Sequence, residues 1–175
     1  MSITTQYPII EELESNNSRL FKEDIIKREA EEDNIDFFEG CKLALDPMVS
    51  FGVKQVPERS DIDGQGLSWG EFCDLADQLM KRELTGHAAR DAIAEAMLQS
   101  HDAEWNKWYR RILIKDLRCG VSEKTINNVV KKVNKDYTIP VFKCMLAHDS
   151  ANHEKKLVGE KLLDYKLDGV RVLAI

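Results

Sequence analysis

Lys166, Asp168, Gly169 and Arg171 stand in the spacing K-x-D-G-x-R within LLDYKLDGVRVLAI, residues 162–175. A lysine so placed becomes a nucleophile once its pKa falls from about 10.4, which partial burial beside a metal ion or Arg171 would bring about. Gly169 permits a turn with positive φ, and Asp168 can fix that turn or orient the lysine. Arg171 offers a planar fork to a phosphate or ribose oxygen. The same residues also suit a surface hairpin around an Asp-Gly turn, with Lys and Arg as solvated edge charges. Taken alone, the motif leaves both open.

A second stretch, IKDLRCGVSEKTINNVV (114–130), has the chemistry of an anion site. Gly120 interrupts one helix and Ser122 is a suitable N-cap for the next. Free amides at that helix start, with Arg118 and Lys124 beside them, attract phosphate and hold a nucleic-acid backbone without reading its sequence. The bland alternative is a corner between two helices with solvated charges. His87, in RELTGHAARDAI (82–93), fits a cap or packing role better than catalysis. Trp105 and Trp108 sit at helical spacing and read as core rather than as platforms for stacking bases. The chain has no P-loop, no G-x-G-x-x-G and no Ser-His-Asp order.

The elements that position these stretches are helical through the first two-thirds of the chain. Apolar residues recur at intervals of three and four over 8–16, 20–32 and 35–46, with Leu20, Ile25, Ile26, Phe37, Phe38, Cys41 and Leu45 marking the stripes. Pro47 stops the third helix, and residues 48–67 predict a loop. Ser68 and Glu71 have capping-box spacing and start a fourth helix over about 69–83. Further helices are expected over 87–99, over 103–117 and from about Ser122. Beyond Lys135 the texture changes. YTIPVFKCMLA (137–147) predicts an extended linker, and the branched and aromatic runs on either side of Leu167-Asp168-Gly169 predict a β-hairpin. A domain boundary is placed near 135–140.

Charge is unevenly distributed beneath a net value of −6. Residues 1–40 hold eleven acidic and four basic side chains, whereas residues 107–136 hold nine basic and three acidic ones. Such a local basic face is what phosphate binding requires, because fields fade within a Debye length of about 10 Å. No run approaches the roughly 18 apolar residues of a membrane helix, and the first residues lack the form of a signal peptide. A cytoplasmic protein without a membrane partner is the expectation. Cys41, Cys73, Cys119 and Cys144 are widely spaced, which points to reduced thiols rather than a metal site.

Together these stretches resemble the N-terminal part of a bacteriophage-type ATP-dependent DNA ligase. DYKLDGVR (164–171) resembles nucleotide-binding motif I of that superfamily, and PVFKCMLA (140–147), with one residue more between Pro140 and Met145, resembles the P-x-x-x-M-L-A segment leading into its nucleotidyltransferase domain. DLRCGVSEKTI (116–126) resembles the D-L-x-x-G-v turn of the preceding helical DNA-binding domain, and RELTGHAA (82–89) the k-l-T-G-n-A-A segment. The fold implied is mainly α: an α-helical DNA-binding domain over 1–135, then over 136–175 a linker and the first strands of an incomplete α+β, ATP-grasp-like nucleotidyltransferase segment that begins with a β-hairpin.

The resemblance also implies roles. Lys166 would attack the α-phosphorus of ATP and carry AMP, Asp164 would meet the adenine amino group, and the backbone of Tyr165 would lie against the base. Arg171 would contact the nucleotide and later the phosphate at the nick. Arg118, Gly120, Ser122, Lys124 and Thr125 would lie at DNA phosphates, and Mg²⁺ would offset charge on the reacting phosphates. The implied partner is nicked duplex DNA, bound by a monomer in the cytoplasm, or the host cytoplasm if the chain is phage-encoded, in the service of replication, repair and recombination. Counterparts of the family's later motifs are absent from these 175 residues. The expectation is therefore a truncated chain that does not adenylate itself. RNA ligases and capping enzymes share K-x-D-G-x-R, and a non-catalytic helical DNA-binding module is a further alternative.

Overall fold

The computed structural model describes residues 5–60, 64–142, 155 and 158–161, and divides the chain into two compact units, Met1–Phe142 and Lys143–Ile175. In the second unit the described residues include Gly159, with φ +87°, and an exposed Val158. All that follows concerns the first unit.

Its elements are α1 (Tyr7–Glu14), α2 (Arg19–Glu31), α3 (Ile35–Leu45), α4 (Trp69–Met80), α5 (Gly86–Gln99), α6 (Asp102–Glu104), a π-helical turn (Trp105–Tyr109), α7 (Arg110–Leu113), α8 (Glu123–Val133) and a 3₁₀ turn (Lys135–Tyr137). Each helix forms where apolar spacing and a terminal signal coincide. Ser68 and Glu71 close a reciprocal capping box at the start of α4: the Ser68 amide donates to the Glu71 carboxylate at 2.9 Å, and the Glu71 amide donates to the Ser68 hydroxyl at 3.3 Å. The Ser68 hydroxyl also donates to the Glu71 carboxylate at 2.6 Å, and this bond, with that from the Ser68 amide, holds the Glu71 carboxyl below its usual pKa. Asn34 and Ser122 cap α3 and α8 by the simpler one-way bond, each side-chain oxygen accepting the amide three residues on, of Phe37 and Thr125. Helices of 8 to 14 residues are marginal alone, so their stability comes from packing.

The packing is organised around the stretch from α6 through the π turn to α7. α1 lies on the π turn, α3 on α7, α2 on α8, and α4 on α5. Trp105, Trp108 and Tyr109 are fully buried in the π turn, where the backbone N–H of Arg110 reaches the carbonyl of Trp105. The Phe37 ring stacks on Trp108 with centroids 5.9 Å apart, and Phe72 stacks on Tyr109 at 4.4 Å. A methyl group at Gly40 would come within 2.2 Å of the Trp108 ring, so glycine is what lets α3 approach this closely. Two of these rings find partners for their polar edges on the long loop before α4: the Trp105 indole donates to the Pro57 carbonyl at 3.0 Å and the Tyr109 hydroxyl to the Leu67 carbonyl at 2.9 Å, whereas the buried Trp108 indole nitrogen has no hydrogen-bond partner among the described residues. Leu20, counted in the apolar stripe of α2, is instead 71% exposed; it falls in the first turn of the helix.

The expected α+β segment with an opening β-hairpin is corrected. Every regular element among the described residues is helical and none is a strand; the residues that carried the hairpin expectation, 162–175, lie outside the described residues. Branched residues beside an Asp-Gly pair report turn chemistry, whereas a strand exists only when its backbone finds a partner, and an isolated hairpin is marginal in water. The stretch after α8 shows how that demand is met here. The Ile139 amide donates to the Asn127 side-chain oxygen at 2.8 Å, and the Asn127 side-chain nitrogen donates back to the Ile139 carbonyl at 2.9 Å. Both backbone groups that a sheet ladder would use are thus taken by one side chain of α8, and Ile139 is buried. No helix among the described residues is long and apolar enough to cross a membrane.

Candidate nucleic-acid interface

Three left-handed residues shape the connection from α7 to α8: Lys115 at φ 62°, Arg118 at 53° and Gly120 at 67°. Two of them are not glycine, so side chains must hold the path. The Asp116 carboxylate accepts the Arg118 amide at 3.0 Å, an Asx-type turn. The Lys115 ammonium donates to the carbonyls of Leu43, at 3.0 Å, and Asp46, at 2.5 Å, placing a cation at the C-terminal end of α3. Burial pushes the pKa of that ammonium down. From α2, the buried ammonium of Lys22 donates to the Cys119 carbonyl at 2.7 Å, directly beneath Gly120.

This frame presents the residues expected at DNA. Arg118, Gly120, Ser122 and Lys124 are exposed and Thr125 is half-buried, all within the turn and the first residues of α8. The Ser122 hydroxyl accepts the Thr125 amide at 3.4 Å and lies 3.2 Å from the Thr125 hydroxyl. The remaining amides of that first turn have no helical acceptor, and the helix dipole adds partial positive charge there. Among the described residues the half-exposed Arg118 side chain has only a long 3.8 Å approach to Asp116.

The basic stretch 107–136 is not one free positive face. Lys107 pairs with Glu11, Arg111 with Glu14 at 2.5 Å, and Arg110 with Glu58 at 3.2 Å, while the Arg110 Nε donates to the Val56 carbonyl at 2.9 Å. Acidic α1 and the basic π turn and α7 are therefore complementary packing partners. Lys124, Lys131, Lys132 and Lys135, along and just beyond α8, are exposed and have no ion pair among the described residues.

Two exposed cations that no motif pointed to stand beside the same turn. Lys54, in the loop after α3, and Arg90, on α5, join Arg110, Asp116 and Arg118 around a groove of about 690 Å³ with Val56, Pro57 and Ile114. Arg90 follows RELTGHAA directly, so the sequence touched this site without assigning it. Lys54 carried no signal, because a lysine in a loop is ordinary until the fold places it.

His87 is exposed at the start of α5. Cys41 and Cys119 are buried free thiols whose pKa burial pushes up, and Cys73 is a half-buried thiol raised to about 12 by burial and neighbouring carboxylates. Among the described residues no group of three His, Cys, Asp or Glu side chains is arranged to hold a metal ion. The residues assigned to ATP, namely Asp164, Tyr165, Lys166 and Arg171, lie outside the described residues.

No family model matches the sequence. DNA ligase 4 of Arabidopsis thaliana is 35% identical over 68 residues, which are 39% of this chain and 5% of that protein. Two solved structures, named Pmar-Lig_PreS3 and Pmar-Lig_Pre., are each 58% identical, with TM-scores of 0.79, and are covered over 89% of this chain and 36% of theirs. The chain spans little more than a third of these solved relatives and a small fraction of the plant protein. Its helical architecture and these similarities make it homologous to ligase-like proteins.

Proposed function

We propose that the chain belongs to an ATP-dependent DNA ligase, and that its helical unit is the part that grips duplex DNA. One observation carries the reading. In a chain 58% identical to ligase-named structures, the turn that resembles the family's DNA-contacting motif lies at the capped start of α8 with Arg118 and Lys124 exposed. Arg118, Gly120, Ser122, Lys124 and Thr125 would hold backbone phosphates, positioning the duplex without reading its sequence. The similarity to a protein named as a DNA ligase favours DNA over RNA as partner.

Lys166 is proposed as the nucleophile. Its amine attacks the α-phosphorus of ATP, pyrophosphate leaves, and AMP is held through a phosphorus–nitrogen bond. AMP then passes to the 5′-phosphate of a nick, and the 3′-hydroxyl attacks that phosphate as AMP departs. Asp164, Tyr165 and Arg171 would seat the nucleotide, and Mg²⁺ would offset charge on the phosphates.

The reading is tested by fluorescence anisotropy with duplex DNA and duplex RNA of one sequence, at low and moderate salt. Binding that prefers DNA and weakens steeply with salt is expected. Equal affinity for RNA, or affinity indifferent to salt, would remove the DNA-gripping role from this surface.

A further inference from the structure

The groove beside Arg118 is built from three stretches far apart in sequence: residues 54–57, Arg90 of α5, and residues 110–118 from α7 into the following turn. Four cations line it, Lys54, Arg90, Arg110 and Arg118, against the single carboxylate of Asp116. Arg110 is engaged by Glu58 and the Val56 carbonyl and serves as wall. Lys54 and Arg90 are exposed and have no ion pair among the described residues. Val56, Pro57 and Ile114 give the groove an apolar floor suited to sugar faces.

We propose that this groove is a second backbone track for duplex DNA, in which Lys54 and Arg90 each hold a phosphate. The inference rests on the DNA reading above and extends it to residues outside every motif. Charge arriving from three separate segments suits a chain of phosphates better than one compact anion. Arg118 belongs both to the groove and to the turn before α8, so it links a strand held at Ser122 and Lys124 to the groove. The separation of Lys54 and Arg90 in sequence means that only the folded unit presents the track.

The experiment measures the binding of the 175-residue chain to a duplex oligonucleotide across a salt series, with Lys54→Ala/Arg90→Ala and Lys124→Ala beside the unaltered protein. Each phosphate contact contributes about 0.9 to the slope of log K against log salt concentration. The double variant is expected to lower that slope by about two contacts' worth and Lys124→Ala by about one, with thermal midpoints unchanged because these side chains are exposed. If Lys124→Ala lowers the slope and the double variant leaves it unaltered, the groove inference falls while the DNA reading stands. If the unaltered chain does not bind duplex DNA, the DNA reading falls and the groove inference with it.

Discussion

The ammonium of Lys22 and the α-carbon of Gly120 are neighbours: a methyl group added at Gly120 would lie 2.5 Å from the Lys22 nitrogen. That proximity ties α2 to the turn before α8, through the 2.7 Å hydrogen bond from Lys22 to the Cys119 carbonyl. Gly120→Ala meets two obstacles, a left-handed φ of 67° and the ammonium itself. A stability loss of about 1–2 kcal/mol is expected from the backbone conformation, read by urea denaturation. A variant as stable as the parent would show that the turn relaxes without Lys22.

Asn127 replaces a strand partner for Ile139, so Asn127→Ala strips two buried backbone groups of their hydrogen bonds at once. The expected cost is about 2–3 kcal/mol. Amide exchange at Ile139 should speed up more than exchange within α2. Unchanged protection at Ile139 would mean that burial alone holds the segment.

Glu104 is 1% exposed, with one carboxylate oxygen lacking a hydrogen-bond partner among the described residues, and burial raises its pKa. Below the unfolded pKa, about 4.3, both states carry the proton and the side chain imposes no ionisation penalty. As pH rises from there through the raised folded value, the unfolded chain releases its proton first and stability declines. Glu104→Gln should therefore gain in thermal midpoint relative to the parent as pH climbs from about 4 towards neutrality. A midpoint difference that stays flat over that range would refute a protonated Glu104 in the fold.

Glu11 and Glu14 of α1 neutralise Lys107 of the π turn and the largely buried Arg111 of α7. Replacing both carboxylates with glutamine leaves those cations without their carboxylate partners, while Arg111 keeps its bond to the Leu117 carbonyl. Duplex DNA affinity at low salt is expected to rise modestly, with the gain disappearing at high salt. Weaker binding at low salt would place α1 itself among the DNA contacts.

Helix positions were legible because their signals are local. Ser68 and Glu71 announce α4, Ser122 announces α8, Pro47 follows the end of α3, and the spacing of Trp105 and Trp108 marks a buried helix face. What escaped depends on contacts across the fold. The basic count of residues 107–136 could not show that α1 neutralises part of it. Lys54 and Arg90 meet only through tertiary packing. Asn127 gave no hint that its amide would engage Ile139 and draw the chain beyond α8 into the helical unit. The hairpin expectation weighed turn chemistry without a partner for the strands.

The wide turn at Trp105–Tyr109 amounts to an angular offset. At 3.6 residues per turn, one residue lodged in a helix rotates everything after it by about 100°. Ahead of the offset, Trp105 faces the loop carbonyl of Pro57; after it, Arg110 finds Val56 and Glu58 while Arg111 finds Glu14 and the Leu117 carbonyl. Removing a single residue from this stretch would reset the phase, swinging both arginines away from their anchors while leaving the tryptophan side in place. The helix thus works as a cam: a misfit of one residue lets Trp105 and Arg110 both reach the loop at residues 56–58 while Arg111 turns to α1.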